Sequence, residues 1–216
     1  PSHAGFLDLG FFKEDVKHIH YVFFPSQGDI SNDPLLLWFS GSPGCSGLLA
    51  CFHEIGPFIF APGKLNFNLN ENSWNKKANL LFIDLPAGTG FSEGSNKTVT
   101  DESFAVDATA ALRAFYARFP SYKKNDVYLT GHGYGATQIA YTAKLIIDEN
   151  NDPYPIYTDK IKLKGILVGN ACVRPDECFA TGTGKYSEYH YEFLYKRGYF
   201  TKKAYNDYRA ACLLNS

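Results

Sequence analysis

The chain has 216 residues, of which 45% are hydrophobic and 20% charged, and its formal net charge is −1. This length supports one sizeable core, and the composition is ordinary for a soluble globular protein. The near-zero net charge provides no global attraction for nucleic acid or an acidic membrane. The sequence contains no run of about 18 apolar residues, so it predicts no membrane span. Aromatic residues, at 16%, predict an aromatic-rich core and interface rather than a stacking site for bases.

Five apolar runs predict β-strands, and they lie at 18–24, 34–40, 79–85, 126–130 and 162–169. The last three are nearly continuous, which is typical of strands buried on both faces of a parallel sheet. Strands that alternate with helices predict an α/β sandwich with a mostly parallel sheet.

Two helices are predicted between these strands. The first begins at Thr100, with acidic residues in its first turn, and ends before Pro120. Its apolar stripe is Phe104, Ala108, Ala111, Leu112, Phe115 and Phe119. The second runs from about 136 to 150, and its predicted inward residues are Ile139, Ala140, Ala143, Ile146 and Ile147.

The pattern changes near residue 170. Residues 171–216 contain no strand-like run and predict two helices, at about 187–197, closed by Gly198, and at about 201–213. We therefore expect residues 1–170 to be the N-terminal part of an α/β core. Residues 171–216 are expected to begin a helical insertion.

The cysteines indicate an oxidising compartment. Five disulfide candidates are present, namely Cys45, Cys51, Cys172, Cys178 and Cys212. Their spacing does not fit a zinc site, and no metal or cofactor is predicted. Asn96 begins a glycosylation sequon, and a chain without Met that opens on Pro1 is expected to be a processed or recombinant product. An odd count means that at least one cysteine is free or bonded outside this chain.

A glycine-dense turn, Gly131-His132-Gly133-Tyr134-Gly135, lies between a predicted strand and a predicted helix. A dinucleotide fingerprint fits poorly, because the next strand ends at Gly169-Asn170 without the acidic residue that binds the ribose. The flanking glycines also fit the G-x-S-x-G nucleophile elbow, with glycine where serine would stand. A plain tight turn is the third interpretation.

Three earlier stretches bear on this choice: LLLWFSGSPGCSG (35–47), FHEIGPF (52–58) and SWNKKANLLFIDLPAGTGFSEG (73–94). With YLTGHGYGA (128–136), they occur in the order of the motifs of the serine carboxypeptidase family, which this chain closely resembles over essentially its whole length. The resemblance implies an α/β-hydrolase fold, a mostly parallel sheet flanked by helices, and a nucleophile elbow at the glycine turn.

The resemblance also assigns roles to individual positions. Gly133 stands where the family has its nucleophilic serine, so no intact catalytic residue is expected there. The backbone N–H groups of Ser42 and Tyr134 match the oxyanion hole. The positions that match the site for the substrate carboxylate are Ser40, Gly41, Glu54 and His132.

The family's remaining strands do not occur in this chain, so the sheet is expected to be incomplete without a second segment or chain. The resemblance implies that Cys45 pairs with a distant cysteine, and we expect a disulfide-linked second chain produced by two-chain processing. The expected location is the secretory pathway, either extracellular or in a vacuolar or lysosomal lumen.

The sequence thus predicts a glycosylated, catalytically inactive serine carboxypeptidase homologue that acts as a structural or protein-interaction subunit. The alternative is an active hydrolase or acyltransferase of the same family that releases C-terminal residues from peptides. It would need either an artificial change at Gly133 or a relocated nucleophile.

Overall fold

The computed structural model describes residues 2–10, 16–41, 43–60, 63, 66–94, 98–172 and 185–213, and the side chains at 185–188 and 212–213 are not described. Within this part, the chain divides into two units, Pro1–Ala171 and Cys172–Ser216.

The first unit is built on a six-stranded sheet. Its strands are β1 (His3–Leu9), β2 (Lys17–Phe24), β3 (Leu35–Phe39), β6 (Asn79–Ile83), β7 (Val127–His132) and β8 (Leu163–Gly169). Their spatial order is β1-β2-β6-β3-β7-β8. The first two pairings are antiparallel, whereas β6, β3, β7 and β8 are parallel. All five predicted strands are therefore confirmed.

Three further elements were not predicted from the sequence. They are β1 at the edge of the sheet, the short helix α1 (Gly47–His53), and a hairpin of β4 (Phe58–Phe60) and β5 (Phe67–Leu69). The hairpin strands have three residues each and β1 is largely exposed, so none carries a long apolar run.

Helices cover both faces of the sheet because the side chains of each central strand alternate between them. In β3, Leu35 and Leu37 pack with α2 (Asp101–Arg118) and α3 (Gly135–Asn151), whereas Leu36 and Trp38 pack on the side of α1. Thr100 caps α2 as predicted, because its side chain accepts a hydrogen bond from the Ser103 N–H.

The prediction for the inner face of α3 was wrong at two positions. Ala140 and Ile147 are exposed, and Gln138 and Thr142 are buried in their place. The Thr142 hydroxyl donates to the Gln138 carbonyl oxygen at 2.7 Å. Because this local bond satisfies the hydroxyl, the helix can turn a polar residue inward.

The parallel side of the sheet ends at β8. Its residues Ile166, Leu167 and Val168 are 48%, 46% and 45% exposed. A strand of this kind leaves both apolar side chains and backbone hydrogen-bonding groups at an open edge.

The second unit contains α4 (Lys185–Lys196) and α5 (Lys202–Leu213), close to the two predicted helices. Gly198 follows α4 with a φ of +78°, which suits a residue without a Cβ atom. The two helices pack through tyrosine rings, with centroids 3.8 Å apart for Tyr191 and Tyr208 and 4.5 Å apart for Tyr195 and Tyr205.

Candidate functional site

The candidate site lies where β3 and β7 end side by side. The two strands are parallel, and Phe39 is paired with Gly131. The chain leaves β3 for β6 on one side and later returns to β7 on the other, so their carboxyl ends meet at a switch point in the topology. In open α/β sheets, ligands bind at such points. This arrangement brings Gly41 next to the glycine turn.

Two of the three turn glycines allow the turn to approach β3 closely. A Cβ atom on Gly131 would lie 2.2 Å from the Phe39 carbonyl oxygen, and one on Gly135 would lie 2.6 Å from the same atom. Both distances are too short for a side chain to fit without moving the backbone. The strand and the helix can therefore adopt this turn only with glycine at both positions.

Gly133, at the apex, differs from its two neighbours. Its φ is +56°, a left-handed conformation that favours glycine, but a Cβ atom there would meet nothing closer than the Gly41 Cα atom at 3.8 Å. The Gly133 N–H donates to the Gly169 carbonyl oxygen at 3.0 Å. The apex therefore has room for a side chain, and as it stands it presents no nucleophile, acid or base.

Tyr134 provides a backbone donor at the start of α3. Its N–H donates to no residue that the structure describes, as in the first turn of most helices. Its hydroxyl donates to Asp101, at 2.9 Å from Oδ1 and 3.1 Å from Oδ2. This hydrogen bond raises the pKa of Tyr134. Ser42, the other predicted oxyanion donor, lies outside the described residues.

His132 contributes a half-buried imidazole beside the apex. Its ring lies 5.8 Å from that of Trp38, measured between centroids. Within the described part of the chain, neither His132 Nδ1 nor Trp38 Nε1 has a hydrogen-bond partner, although both atoms are buried. Gly41 packs tightly beside them, since a Cβ atom there would be 2.9 Å from the His132 carbonyl oxygen.

The remaining predicted residues of the carboxylate site differ in the hydrogen bonds that hold them. The Ser40 hydroxyl donates to the Ser46 carbonyl oxygen at 2.9 Å, so it helps to shape the loop after β3. Glu54 ends α1, and its side chain is exposed and makes no hydrogen bond or ion pair with a described residue. Ser40, Gly41 and His132 therefore adjoin the turn, whereas no hydrogen bond or ion pair among the described residues connects Glu54 to them.

Sequence reasoning overlooked Asp84, which follows β6 at the same edge of the sheet. The residue is 1% exposed. Its carboxylate accepts hydrogen bonds from Ser46 Oγ at 2.5 Å, the Gly47 N–H at 3.0 Å and the Phe91 N–H at 3.1 Å, and it lies 3.0 Å from His20 Nδ1. A lone carboxylate directly after the apolar run 80–83 was the available signal, because such a group must be paired when buried.

The cysteines fall into different environments. Cys45 is a half-buried free thiol, and Cys51 is a free thiol enclosed in the core. Burial, and to a lesser degree the charge of Asp84, raises the pKa of Cys51 to about 12. Cys172 forms a disulfide bond, and its partner lies outside the described side chains. Cys178, the Cys212 side chain and Asn96 are also outside them.

The described residues also show neither a metal-binding cluster nor a membrane-spanning helix. Among the described residues, no group of three or more His, Cys, Asp or Glu side chains is arranged to hold a metal ion. None of the helices in the same ranges is long and apolar enough to cross a membrane.

Comparison with known proteins extends the motif resemblance to nearly all of the 216 residues. Residues 1–215 match the profile of a family described as serine carboxypeptidase. Carboxypeptidase Y of Schizosaccharomyces pombe is 35% identical over 181 residues, which are 81% of this chain and 18% of that protein. Lysosomal protective protein of Mus musculus is 39% identical over 158 residues, which are 72% of this chain and 31% of that protein.

Solved structures agree with these matches. A prohormone-processing carboxypeptidase from Saccharomyces cerevisiae matches with a TM-score of 0.70 and 27% identity, over 100% of this chain and 47% of that one. A putative hydrolase from Agrobacterium vitis S4 shares the fold alone, with a TM-score of 0.52 and 15% identity over 98% of this chain and 72% of that one. The α/β-hydrolase fold with an incomplete sheet is therefore confirmed.

These relatives are longer than the chain described here, which spans less than a third of the two curated proteins and about half of the solved carboxypeptidase. The matches nevertheless cover nearly every residue of this chain and include the glycine turn. The chain therefore belongs to the serine carboxypeptidase family.

Proposed function

We propose that this chain is part of a catalytically inactive serine carboxypeptidase homologue that acts as a structural or protein-interaction subunit. The observation that carries the proposal is Gly133 at the apex of the turn. In the family the matching position holds the serine that attacks the peptide carbonyl. Without a hydroxyl at the apex, the turn cannot form an acyl-enzyme, and most of the rate enhancement of such a site is lost.

The shape of the turn supports the interpretation that this chain keeps the backbone geometry of the elbow and lacks only the nucleophilic hydroxyl. Gly131 and Gly135 allow the same close approach to Phe39 that a serine-bearing elbow requires. The left-handed φ of +56° at Gly133 strains any residue with a Cβ atom, by about 1–2 kcal/mol. Glycine at the apex therefore favours stability over catalysis, as expected of a protein retained for binding.

A backbone donor beside the apex suits recognition. The Tyr134 N–H has no partner among the described residues. It can donate to an oxygen-bearing group of a bound peptide. A peptide end held here would be bound without being cleaved, because no nucleophile faces it.

The open edge of the sheet at β8 supports the presence of a partner for this chain. Strand β8 exposes apolar residues, and most folded proteins cover or protect a sheet edge of this kind. We propose that further strands of the core, carried on a second polypeptide, pair with β8. The free, half-buried thiol of Cys45 is the proposed attachment point of a disulfide bond to that polypeptide.

The proposed location is the secretory pathway, either extracellular or in a vacuolar or lysosomal lumen. The sequon at Asn96, the disulfide bond of Cys172 and the similarity to a lysosomal protective protein support this location. Intact mass measured with and without reductant tests the second chain. A protein of unchanged mass that is soluble and monomeric without any further polypeptide would contradict it.

A fluorophosphonate probe tests inactivity on the whole protein purified from its natural source. We expect no covalent adduct on this chain and no release of C-terminal residues from a peptide. An adduct that maps to this chain would overturn the proposal in favour of the active hydrolase or acyltransferase.

The Gly133→Ser variant sharpens this test, and Gly133→Ala is its matched control. Both variants introduce the same Cβ atom and the same backbone strain, but only serine adds the hydroxyl. If the rest of the catalytic machinery is present in the complete protein, only the serine variant should react with the probe. A reaction of the wild type equal to that of the serine variant would show that the apex is not needed.

A further inference from the structure

The loop between α3 and β8, residues 152–162, presents the two most exposed large apolar side chains among the described residues. Ile156 is 90% exposed and Tyr154 is 88% exposed. Pro153 and Pro155 flank the tyrosine. Because proline fixes its own φ and restricts the residue before it, this pair limits the conformations of the loop tip. Single apolar side chains are common on protein surfaces, whereas grouped ones mark sites of interaction.

The two ends of this loop are joined by hydrogen bonds. Asn150 Nδ2 donates to the Ile161 carbonyl oxygen at 2.8 Å, and the Ile161 N–H donates to Asn150 Oδ1 at 3.1 Å. Asn150 belongs to α3, and the Ile161 side chain is buried in the core. The base of the loop is therefore fixed to α3 and to the core.

The second half of the loop is attached to α2 and to the turn before β7. The Arg113 guanidinium lies 4.0 Å from the centre of the Tyr157 ring, and its Nη1 donates to the Asp159 carbonyl oxygen at 2.9 Å. Lys123 Nζ donates to Asp159 Oδ2 at 2.5 Å. These contacts hold the loop without any partner. A surface that is already ordered loses less conformational freedom when it binds.

The loop leads directly into the open edge of the sheet. Strand β8 begins at Leu163, two residues after Ile161, and residues 166–168 of the strand are exposed and apolar. Paired strands lie about 4.8 Å apart, so a strand that pairs along the whole of β8 has one of its ends beside this loop. The exposed loop tip and the exposed strand are thus consecutive parts of the first unit.

We propose that Tyr154 and Ile156 anchor the second polypeptide, so that its interface extends from β8 to the loop 152–162. This inference rests on the proposed function, because it takes as its partner the polypeptide that pairs with β8. Tyrosine is enriched among the residues that dominate the energetics of protein interfaces. The partner surface that suits an isoleucine and a tyrosine ring is an apolar recess with a polar group for the hydroxyl.

Nitration of Tyr154 by tetranitromethane tests the inference on the complete protein, with peptide mass spectrometry as the readout. Without a partner, a side chain that is 88% exposed should react about as fast in the native protein as in urea. With the partner in place, the native reaction should be at least about tenfold slower, because interface anchors are shielded from solvent. Equal rates in a protein whose mass includes the second polypeptide would overturn this inference alone. A mass without that polypeptide would contradict the proposed second chain itself.

Variants of the complete protein locate the contact once its disulfide bonds are reduced. Tyr154→Ser and Ile156→Ser should each weaken the affinity for the second polypeptide on the order of tenfold or more, since each removes a large apolar side chain from the interface. Leu69→Ser is the matched control. Leu69 is 77% exposed, but it lies on the hairpin beside β2, which β6, β3 and β7 separate from β8. Equal affinities in all three variants would overturn the inference.

Discussion

Two regions at the carboxyl edge of the sheet differ in how their polar groups are paired. Around Asp84, after β6, a buried carboxylate receives hydrogen bonds from two backbone N–H groups and the Ser46 hydroxyl, and it contacts the His20 ring. Around Gly133, after β7, the apex has no side chain, and the buried His132 Nδ1 has no partner among the described residues. The buried carboxylate of the first region therefore has several hydrogen-bond partners, whereas a buried nitrogen of the second region has none among the described residues.

This difference shows that the residues that stabilise this edge of the sheet are distinct from the position at which the family carries its nucleophile. The Asp84 contacts connect β6 to the loop after β3 and to the cap of α1, so they position the loop that passes the glycine turn. The turn itself depends on close backbone contact with Phe39, and its apex has no side chain. A chain can therefore keep the geometry of an elbow after losing its nucleophile.

The largest effect expected is on the reactivity of Cys51, which lies in the core near Asp84. Its pKa of about 12 keeps the thiol protonated at pH 8, whereas an ordinary thiol is partly ionised. Alkylation by iodoacetamide should therefore be at least about a thousandfold slower in the native protein than in guanidinium chloride. Peptide mass spectrometry measures both rates. Similar rates would show that the region around Asp84 is open.

Asp84→Asn should cause the next largest change. Asparagine removes the negative charge and points an amide at groups that are themselves donors, so the free energy of unfolding should fall by about 3 kcal/mol. Urea denaturation measures this change. Asp8→Asn is the control, because Asp8 pairs with His18 at the surface and should contribute less than about 0.5 kcal/mol. Equal losses would remove the distinction between the two regions.

Alanine at the turn glycines should give unequal losses. Gly131→Ala should lower the free energy of unfolding by about 2 kcal/mol, since its Cβ atom would overlap the Phe39 carbonyl oxygen. Gly133→Ala has space for the Cβ atom and should lose only about 1 kcal/mol, from its left-handed backbone. Thermal and urea unfolding of the two variants decide the order, and a larger loss at Gly133 would contradict the described turn.

The smallest effect is expected at His132. His132→Phe preserves a ring beside Trp38 and removes a buried nitrogen that has no described partner, so the free energy of unfolding should change by less than about 0.5 kcal/mol. His20→Phe is the matched variant in the other region. It breaks the contact with Asp84 and should cost about 1.5–3 kcal/mol. A large loss at His132 would indicate that its imidazole has a structural role.

Much of the fold could be predicted because its strongest signals are local. The central strands are continuous apolar runs, and Thr100 precedes the helix that it caps. The errors arise where long-range contacts decide. Strand β1 exists through its antiparallel pairing with β2, and the inner face of α3 includes Thr142 because a hydrogen bond satisfies its hydroxyl.

The candidate site divides in the same way. Its membership could be predicted for Gly41, His132 and Gly133, because motif order identifies the loops that meet at the end of β3 and β7. The pairing of Asp84 and the lack of a described hydrogen bond or ion pair for the Glu54 side chain could not be predicted. Each depends on which side chains from distant segments come within hydrogen-bonding distance.

The amino-acid sequence by itself determined the family of this protein, the order of its main strands and helices, and the absence of a side chain at the apex of the turn. These properties follow from residue identity and local pattern. Only the tertiary structure decided that the apex has room for a Cβ atom, that Asp84 is fully paired and that the buried His132 Nδ1 has no partner among the described residues. Those properties depend on distances between atoms that are remote in the chain, and folding alone sets such distances.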